Sequence, residues 1–387
     1  MIPYGKQEIT QQDIDAVIDV LKSDFLTQGP QVPQFEESIK NAVNADYALA
    51  VNSATSALHI ACLALGVGKG DVVWTTPITF VASANCALYC GADVDFVDID
   101  PETYNLSPNL LEQKLLHAKQ NNLPFPKVVI PVHLCGQPCE MNKIHALSDE
   151  FGFAIIEDAS HAIGGRYKNR PIGDCEYSDI TVFSFHPVKI VTTAEGGVAT
   201  TNNRALAEKM SLFRSHGITR DTSLMTEESH GGWYYEQIDL GFNYRMTEMQ
   251  AALGVSQMTR LHDFVAKRNE LALRYDELLK GLPLVTPVQI KDSYSGRHLY
   301  VIRLKLDDIS LSHKRVFDEL RTKGIGVNLH YIPVHTQPYY QNMGFHIGDF
   351  PQAEAYYQEA ISLPMFHLMT IEQQNEVFNA LRTTLQG

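Results

Sequence analysis

Three side chains at two apolar strand ends carry the most specific chemistry in this chain. Lys189 closes the run Thr181-Val182-Phe183-Ser184-Phe185-His186-Pro187-Val188-Lys189, which starts as an apolar strand and finishes as a loop. Upstream, Ile155-Ile156-Glu157-Asp158 ends in carboxylates. A carboxylate at the end of a buried strand is costly unless it has a partner. One strand end thus offers a carboxylate, and the next offers the Ser184 hydroxyl and the Lys189 amine. That set suits pyridoxal phosphate. The amine holds the cofactor as a Schiff base, and the carboxylate keeps the pyridine nitrogen protonated. Ile190, Val191 and the Gly196-Gly197 pair follow the lysine. A desolvated amine loses proton affinity and becomes a usable nucleophile and base. Ordinary alternatives stand beside this reading. Asp158 can cap the segment Ala159-Ser160-His161, and Lys189 can lay its stem over apolar surface with its head in water.

A phosphate needs free donors. Asn52-Ser53-Ala54-Thr55-Ser56 lies between a predicted strand, Tyr47 to Val51, and a predicted helix, Ala57 to Leu65. Backbone N–H groups are unpaired at such a helix start, and the hydroxyls of Thr55 and Ser56 add to them. The same segment also reads as a plain N-cap. Phe80, after Thr75-Thr76-Pro77-Ile78-Thr79, is placed to stack on a pyridine ring. His161 is near enough to Asp158 to shape the same pocket.

These residues need a frame, and the first part of the chain supplies one. Short β-rich runs at Val72–Thr75, Val94–Val97, Val128–Val132, Ala154–Ile156, Asp179–Phe185 and Gly197–Thr200 alternate with helical stretches. That alternation predicts an α/β fold with a large, mostly parallel sheet and helices on both faces. Ligands of such sheets bind beyond the strands' carboxyl ends, where the candidate residues fall. Residues 211–235 keep no period and read as a long functional loop. Thr247-Glu248-Met249-Gln250 is a capping box that opens one long helix to about Leu279. The expected division is a large cofactor-binding domain over 1–250 and a smaller α+β domain over 251–387.

Composition bounds the rest. The 387 residues are 44% hydrophobic and 20% charged, with a formal net charge of -14. No Lys/Arg cluster offsets that acidity, which argues against a nucleic-acid partner. The most apolar stretch, Phe80 to Val97, is interrupted by Asn85, Asp93 and Asp95 and predicts no membrane span. Met1 to Lys6 lacks a basic and then apolar leader pattern, so a cytoplasmic protein is expected. Cys86/Cys90 and Cys135/Cys139 have spacings that invite a metal reading, but their apolar surroundings favour buried free thiols and no metal.

In this order the segments Pro131-Val132-His133-Leu134-Cys135-Gly136-Gln137, Glu157-Asp158-Ala159-Ser160-His161-Ala162, Ser184-Phe185 with Lys189, Glu195-Gly196-Gly197, Arg214-Ser215-His216-Gly217, Gly241-Phe242-Asn243-Tyr244-Arg245-Met246 and Tyr331-Ile332-Pro333-Val334-His335 resemble the DegT/DnrJ/StrS sugar aminotransferases nearly end to end. The resemblance implies the aspartate-aminotransferase fold (fold type I) and pyridoxal phosphate as cofactor. It implies Lys189 as the Schiff-base lysine, Asp158 as partner of the pyridine nitrogen and Phe80 as the stacking aromatic. Thr55, the amide after Ala54, and Ser184 become phosphate binders, and His161 sits beside the ring hydroxyl. Asn243 is expected to reach the phosphate in a neighbouring subunit, hence a homodimer with shared sites. His216, Tyr244, Arg245, His330 and His335 are candidates for the substrate pocket. Ala54 replaces a glycine common in the family. The form His186-Pro187-Val188-Lys189 resembles the subgroup that makes the 4-amino precursor of pseudaminic acid. That subgroup implies amino transfer from L-glutamate to C4 of a UDP-linked 4-keto-6-deoxy-N-acetylhexosamine. Two alternatives are a 4-aminotransferase for another dTDP- or UDP-linked 4-keto-6-deoxyhexose, and a cofactor-binding regulator without turnover. Relatives with histidine in place of the lysine are dehydratases; Lys189 favours transamination.

Overall fold

The computed structural model describes residues 1–386. Its centre is a seven-stranded sheet. From one edge the order is Tyr47–Val51, Gly197–Thr201, Ile180–Ser184, Ala154–Asp158, Val128–Ile130, Val72–Thr75 and Asp93–Phe96. The last five pair in parallel. Gly197–Thr201 runs antiparallel to both of its neighbours. The expectation of a mostly parallel sheet matches. The single reversal is local, because residues 185–196 form only a loop between two adjacent strands and leave no room for a crossover helix.

Both faces are covered, as strands buried on two sides require. Helices Ala54–Ala64, Ala82–Tyr89 and Arg204–Arg214 bury Leu58, Ala84 and Met210 against one face. On the other, Gln31–Val43 contributes Phe35 and Ile39, and the two helices after Thr247 contribute Ala251 and Phe264. A smaller sheet, Leu284–Val285, Tyr300–Leu304 and Ala360–Leu363, packs with helices His313–Thr322 and Ile371–Leu385 over a separate core. Ile2 belongs to that core. It bridges Ile325 in parallel, and Met365 N–H donates to the Tyr4 carbonyl at 3.0 Å.

Three expectations change. The single long helix is two, Glu248–Met258 and Leu261–Leu278, each shorter than the predicted span. The capping box at its start is present, with Thr247 and Gln250 bonded reciprocally. The break follows Thr259, whose hydroxyl bonds back to the Ser256 carbonyl at 2.6 Å, while Arg260 turns to the buried Asp13 at 2.6 Å. Gly326 to His330, a segment that resembles a strand entering a loop, forms no strand; it meets the small sheet by an Asn328–Ser362 bridge and a 2.7 Å bond between His330 Nδ1 and the Ser362 hydroxyl. Residues 211–235 start within a helix and then make an excursion closed by pairing Ile218–Thr219 with Glu236–Gln237. All six cysteines are free, and among the described residues no group of three potential ligands could hold a metal. Among the described residues no helix is long and apolar enough to cross a membrane.

Candidate active site

A cavity of about 460 Å³ opens beyond the carboxyl ends of the central strands. Ala54, Thr55, Phe80, Asp158, His161, Ser184, Lys189 and His330, widely spread in sequence, all line it. The fold brings each there in a specific way. Asp158 is the last residue of its strand and only 5% exposed. Its carboxylate accepts the Ser83 hydroxyl at 2.6 Å and the Ser160 N–H at 3.1 Å. The capping interaction anticipated from sequence therefore occupies one oxygen, and a hydroxyl from the helix after Phe80 fixes the other.

Lys189 rides on the loop between Ile180–Ser184 and Gly197–Thr201. That loop is closed by Phe185 N–H to the Gly196 carbonyl, Thr193 N–H to the Phe185 carbonyl, and a turn from Lys189 N–H to His186. Burial pushes the ammonium of Lys189 down to about 8, against an opposing pull from the Asp158 and Cys135 charges. Roughly a tenth of the amine is then unprotonated at pH 7, hundreds of times the fraction for an ordinary lysine.

The phosphate-side geometry rests on close backbone packing. Ser53 caps the Ala54–Ala64 helix by accepting the Ser56 N–H at 3.1 Å. Among the described residues no protein acceptor is bonded to the N–H of Ala54 or Thr55. A Cβ on Gly197 would lie 2.5 Å from the Ala54 nitrogen, so the strand presses directly on the helix start. The Ser56 hydroxyl does not join this group. It is buried and donates to Asn52 Oδ1 at 2.6 Å. These features fit a phosphorylated pyridine aldehyde: free N–H donors with the Thr55 and Ser184 hydroxyls, a buried amine, and a fixed carboxylate along one cavity.

Around the amine three histidines are held neutral. Burial, then the nearby Lys189 charge and His330, keeps His161 well below the usual histidine range. Burial, then His161 and Lys189, does the same to His298. His330 falls to about 3 for the same first reason, with Lys189 adding to it. Behind the sheet, His133 bonds Glu157 at 2.7 Å, and Ser178 and Thr181 donate to the other oxygen. Burial alone would raise Glu157, but these bonds outweigh it and hold the carboxyl below its ordinary value.

Not every candidate reaches the cavity. His335 is fully buried and bonds Glu354 at 2.9 Å, which ties it to the Pro351–Glu359 helix instead. Tyr244 stacks on Phe242 and shares a hydrogen bond with His59 at 3.1 Å. Arg245 lines a separate pocket of about 240 Å³ with Arg214 and Glu36. His216 holds a positive φ of 62° beside the Phe242 carbonyl. Asn243 is exposed and does not line the cavity; its carbonyl accepts from Asn52 Nδ2 at 3.5 Å, one residue before the cavity-lining Ser53. Conversely, Tyr4, His298 and Tyr331 line the cavity unannounced. Tyr331 adjoins His330 and was readable as a neighbour. Tyr4 arrives through the Ile2–Ile325 bridge, for which no local pattern exists.

The DegT/DnrJ/EryC1/StrS aminotransferase family matches residues 7–382. The chain is 38% identical over 389 residues to the spore coat polysaccharide biosynthesis protein SpsC of Bacillus subtilis, covering 100% of this chain and 97% of that protein. It is 36% identical over 389 residues to the UDP-4-amino-4,6-dideoxy-N-acetyl-beta-L-altrosamine transaminase of Campylobacter jejuni, covering 100% and 98%. Helicobacter pylori PseC, an aminotransferase involved in the biosynthesis of pseudoaminic acid, superposes with a TM-score of 0.89 at 32% identity, covering 100% of this chain and 99% of that one.

Proposed function

The chain belongs to the DegT/DnrJ/EryC1/StrS aminotransferase family, and from that premise we propose that it transfers an amino group from L-glutamate to C4 of a UDP-linked 4-keto-6-deoxy-N-acetylhexosamine. Its fold is the fold-type I aminotransferase architecture, it is a sugar-nucleotide aminotransferase, and its cofactor is pyridoxal phosphate. The aminotransferase chemistry rests on one observation above all: an amine depressed to about 8 shares a cavity with a fixed carboxylate and a helix start with free N–H donors; the sugar reading is supported by the 36% identity to the UDP-4-amino-4,6-dideoxy-N-acetyl-beta-L-altrosamine transaminase.

When bound, pyridoxal phosphate supplies an aldehyde that exchanges amines and a protonated ring that draws electrons from the neighbouring carbon. The residues of this chain do the rest. Lys189 would hold the cofactor, and Asp158 would keep its ring nitrogen protonated. Thr55, Ser184 and the N–H groups at the start of the Ala54–Ala64 helix would take the phosphate, with Phe80 against the ring. Once displaced, the Lys189 amine takes the proton from Cα of glutamate and later delivers one to C4 of the sugar. A single amine between two carbons gives proton transfer from one face and so one configuration at C4.

We further propose that two copies share their sites, with Asn243 of one serving the phosphate in the other. Its exposure, with its carbonyl beside Asn52 just ahead of the phosphate-side helix, supports that reading. A second substrate reading, another 4-keto-6-deoxy sugar nucleotide, is favoured by the 38% identity to a spore coat polysaccharide protein. A panel of UDP- and dTDP-linked 4-keto sugars, incubated with glutamate and analysed by NMR, separates the two. The proposal expects the 4-amino-N-acetylhexosamine as the preferred product. Faster turnover of a dTDP sugar, or amination at another carbon, would overturn it.

A further inference from the structure

The neighbourhood of His161 fixes the direction of a hydrogen bond that no sequence motif announces. The Cys135 backbone N–H points at His161 Nδ1 at 3.2 Å. An amide N–H only donates, so Nδ1 carries a lone pair and no proton. Burial and the adjacent Lys189 keep the ring from charging. The one remaining ring proton therefore sits on Nε2. That nitrogen lies 3.1 Å from the Tyr331 hydroxyl, with the two rings stacked at 22°. The reverse arrangement, with Tyr331 donating to Nε2, would leave an imidazole with no proton at all.

Tyr331 thus accepts from His161, and its own O–H must point elsewhere. Among the described residues no other acceptor is bonded to it, and Tyr331 lines the cavity. Burial, with the Asp158 charge adding to it, raises the phenol far above its usual value, so the proton stays on. The backbone is shaped for this chain of bonds. Cys135 and Gly136 both adopt positive φ, 60° and 97°. A Cβ on Gly136 would meet the His161 carbonyl oxygen and the Arg297 nitrogen, each at 2.7 Å. Only glycine lets the 134–136 turn sit close enough to aim its N–H at His161.

We propose that Tyr331 is a hydrogen-bond donor of the cavity, oriented by the Cys135–His161 relay to bind an acceptor oxygen of what occupies it. This rests on the aminotransferase reading for the two sources of such an oxygen, the bound cofactor and the keto sugar. The relay itself does not depend on which sugar is used. A donor held in that orientation discriminates against an amine or a hydrogen at the position of that oxygen, since its O–H would meet the hydrogens of a protonated amine, and a hydrogen would leave the buried hydroxyl unpaired.

Two measurements test it on the holoprotein. The first is 15N NMR of ring-labelled histidine, with His161 assigned through His161→Gln. Protonation at Nε2 alone is expected at neutral pH. A proton on Nδ1, or on both nitrogens, would overturn the relay whatever the substrate proves to be. The second compares wild type with Tyr331→Phe, which keeps the ring and removes the hydroxyl. If the oxygen is the sugar's, KM for the 4-keto sugar rises roughly tenfold or more with KM for glutamate unchanged. If it is the cofactor's, the visible band shifts and cofactor affinity falls by a similar factor without any substrate present. Changes below about twofold in every one of these would sink the donor role. Should Tyr331→Phe fold poorly, the tautomer measurement on the wild-type protein still decides. A wild type inactive on every keto sugar would count against the proposed function and leave this inference standing on the first measurement.

Discussion

Lys189 departs from an ordinary lysine because the cavity withholds water from its amine. Burial lowers it to about 8 and the Asp158 charge pulls it back up. Cofactor capture by the cofactor-free protein should therefore accelerate about tenfold per pH unit up to a midpoint near 8, then level off. Borohydride fixation and peptide mass mapping must place the label on Lys189; a label elsewhere, or a midpoint near 10, counts against the assignment. In Asp158→Asn the ammonium loses its anionic neighbour, so the midpoint should move below 8. The same substitution should slow the glutamate half-reaction about a hundredfold, the scale of a few kcal/mol of electrostatic stabilisation. The sign for stability follows from proton counting. Between about 8 and the ordinary lysine value the unfolded chain binds more protons, so stability of the cofactor-free protein rises with pH across that window. The types and strand-end positions of Lys189, Asp158 and Ser184 were legible in the sequence. His298 was not, because a neutral histidine beside apolar strands looks like core until the cavity is seen, and Tyr331 was legible only as the neighbour of His330.

At the scale of elements, two packing details hold the site. Gly197 begins the antiparallel strand and abuts the start of the phosphate-side helix. Gly197→Ala would force backbone against backbone, which cannot be relieved by a rotamer change. We expect a loss of about 1–3 kcal/mol in thermal or denaturant stability, with a larger fall in cofactor affinity than in stability because Ala54 and Thr55 are displaced first. Equal effects on both would show the strand to be merely structural. The second detail is Asp13, fully buried, which accepts from Ser256 at 2.6 Å, Gln257 at 2.9 Å and Arg260 at 2.6 Å. Burial pushes its carboxyl up, but the bonds to Ser256, Thr10 and Arg260 outweigh that and hold it below the usual range. Its contribution is thus present above the ordinary carboxylate value and lost as pH falls through the depressed one. Asp13→Asn leaves Arg260 without its nearest anion and should cost about 3 kcal/mol by urea unfolding. The alternating pattern gave away most sheet strands, since each alternates with a periodic helix. The helix break at Thr259 was hidden, because it comes from Arg260 reaching Asp13 across the fold and not from any glycine or proline.

For the whole molecule, the exposed Asn243, beside Asn52 just ahead of the phosphate-side helix, leads to a test of assembly. Mixing Lys189→Ala with an Asn243 variant that has lost cofactor binding should restore part of the activity, because one site of a mixed dimer receives both intact groups. An active monomer, or no recovery despite demonstrated subunit exchange, would exclude the shared site. Large-scale architecture was readable from sequence to the extent that it is built of local repeats of strand and helix. Contacts between distant parts of the chain were not, and the clearest is the bridge from Ile2 to Ile325, with Tyr4 held against Met365. That bridge sets a clock. On the ribosome, Ile2 to Tyr4 must wait for their partners through more than three hundred residues of synthesis, roughly 15 to 65 s at the usual pace. The central sheet can pair long before that. Since Tyr4 forms part of the cavity wall, that wall is completed late, by residues made more than three hundred positions ahead of their partners.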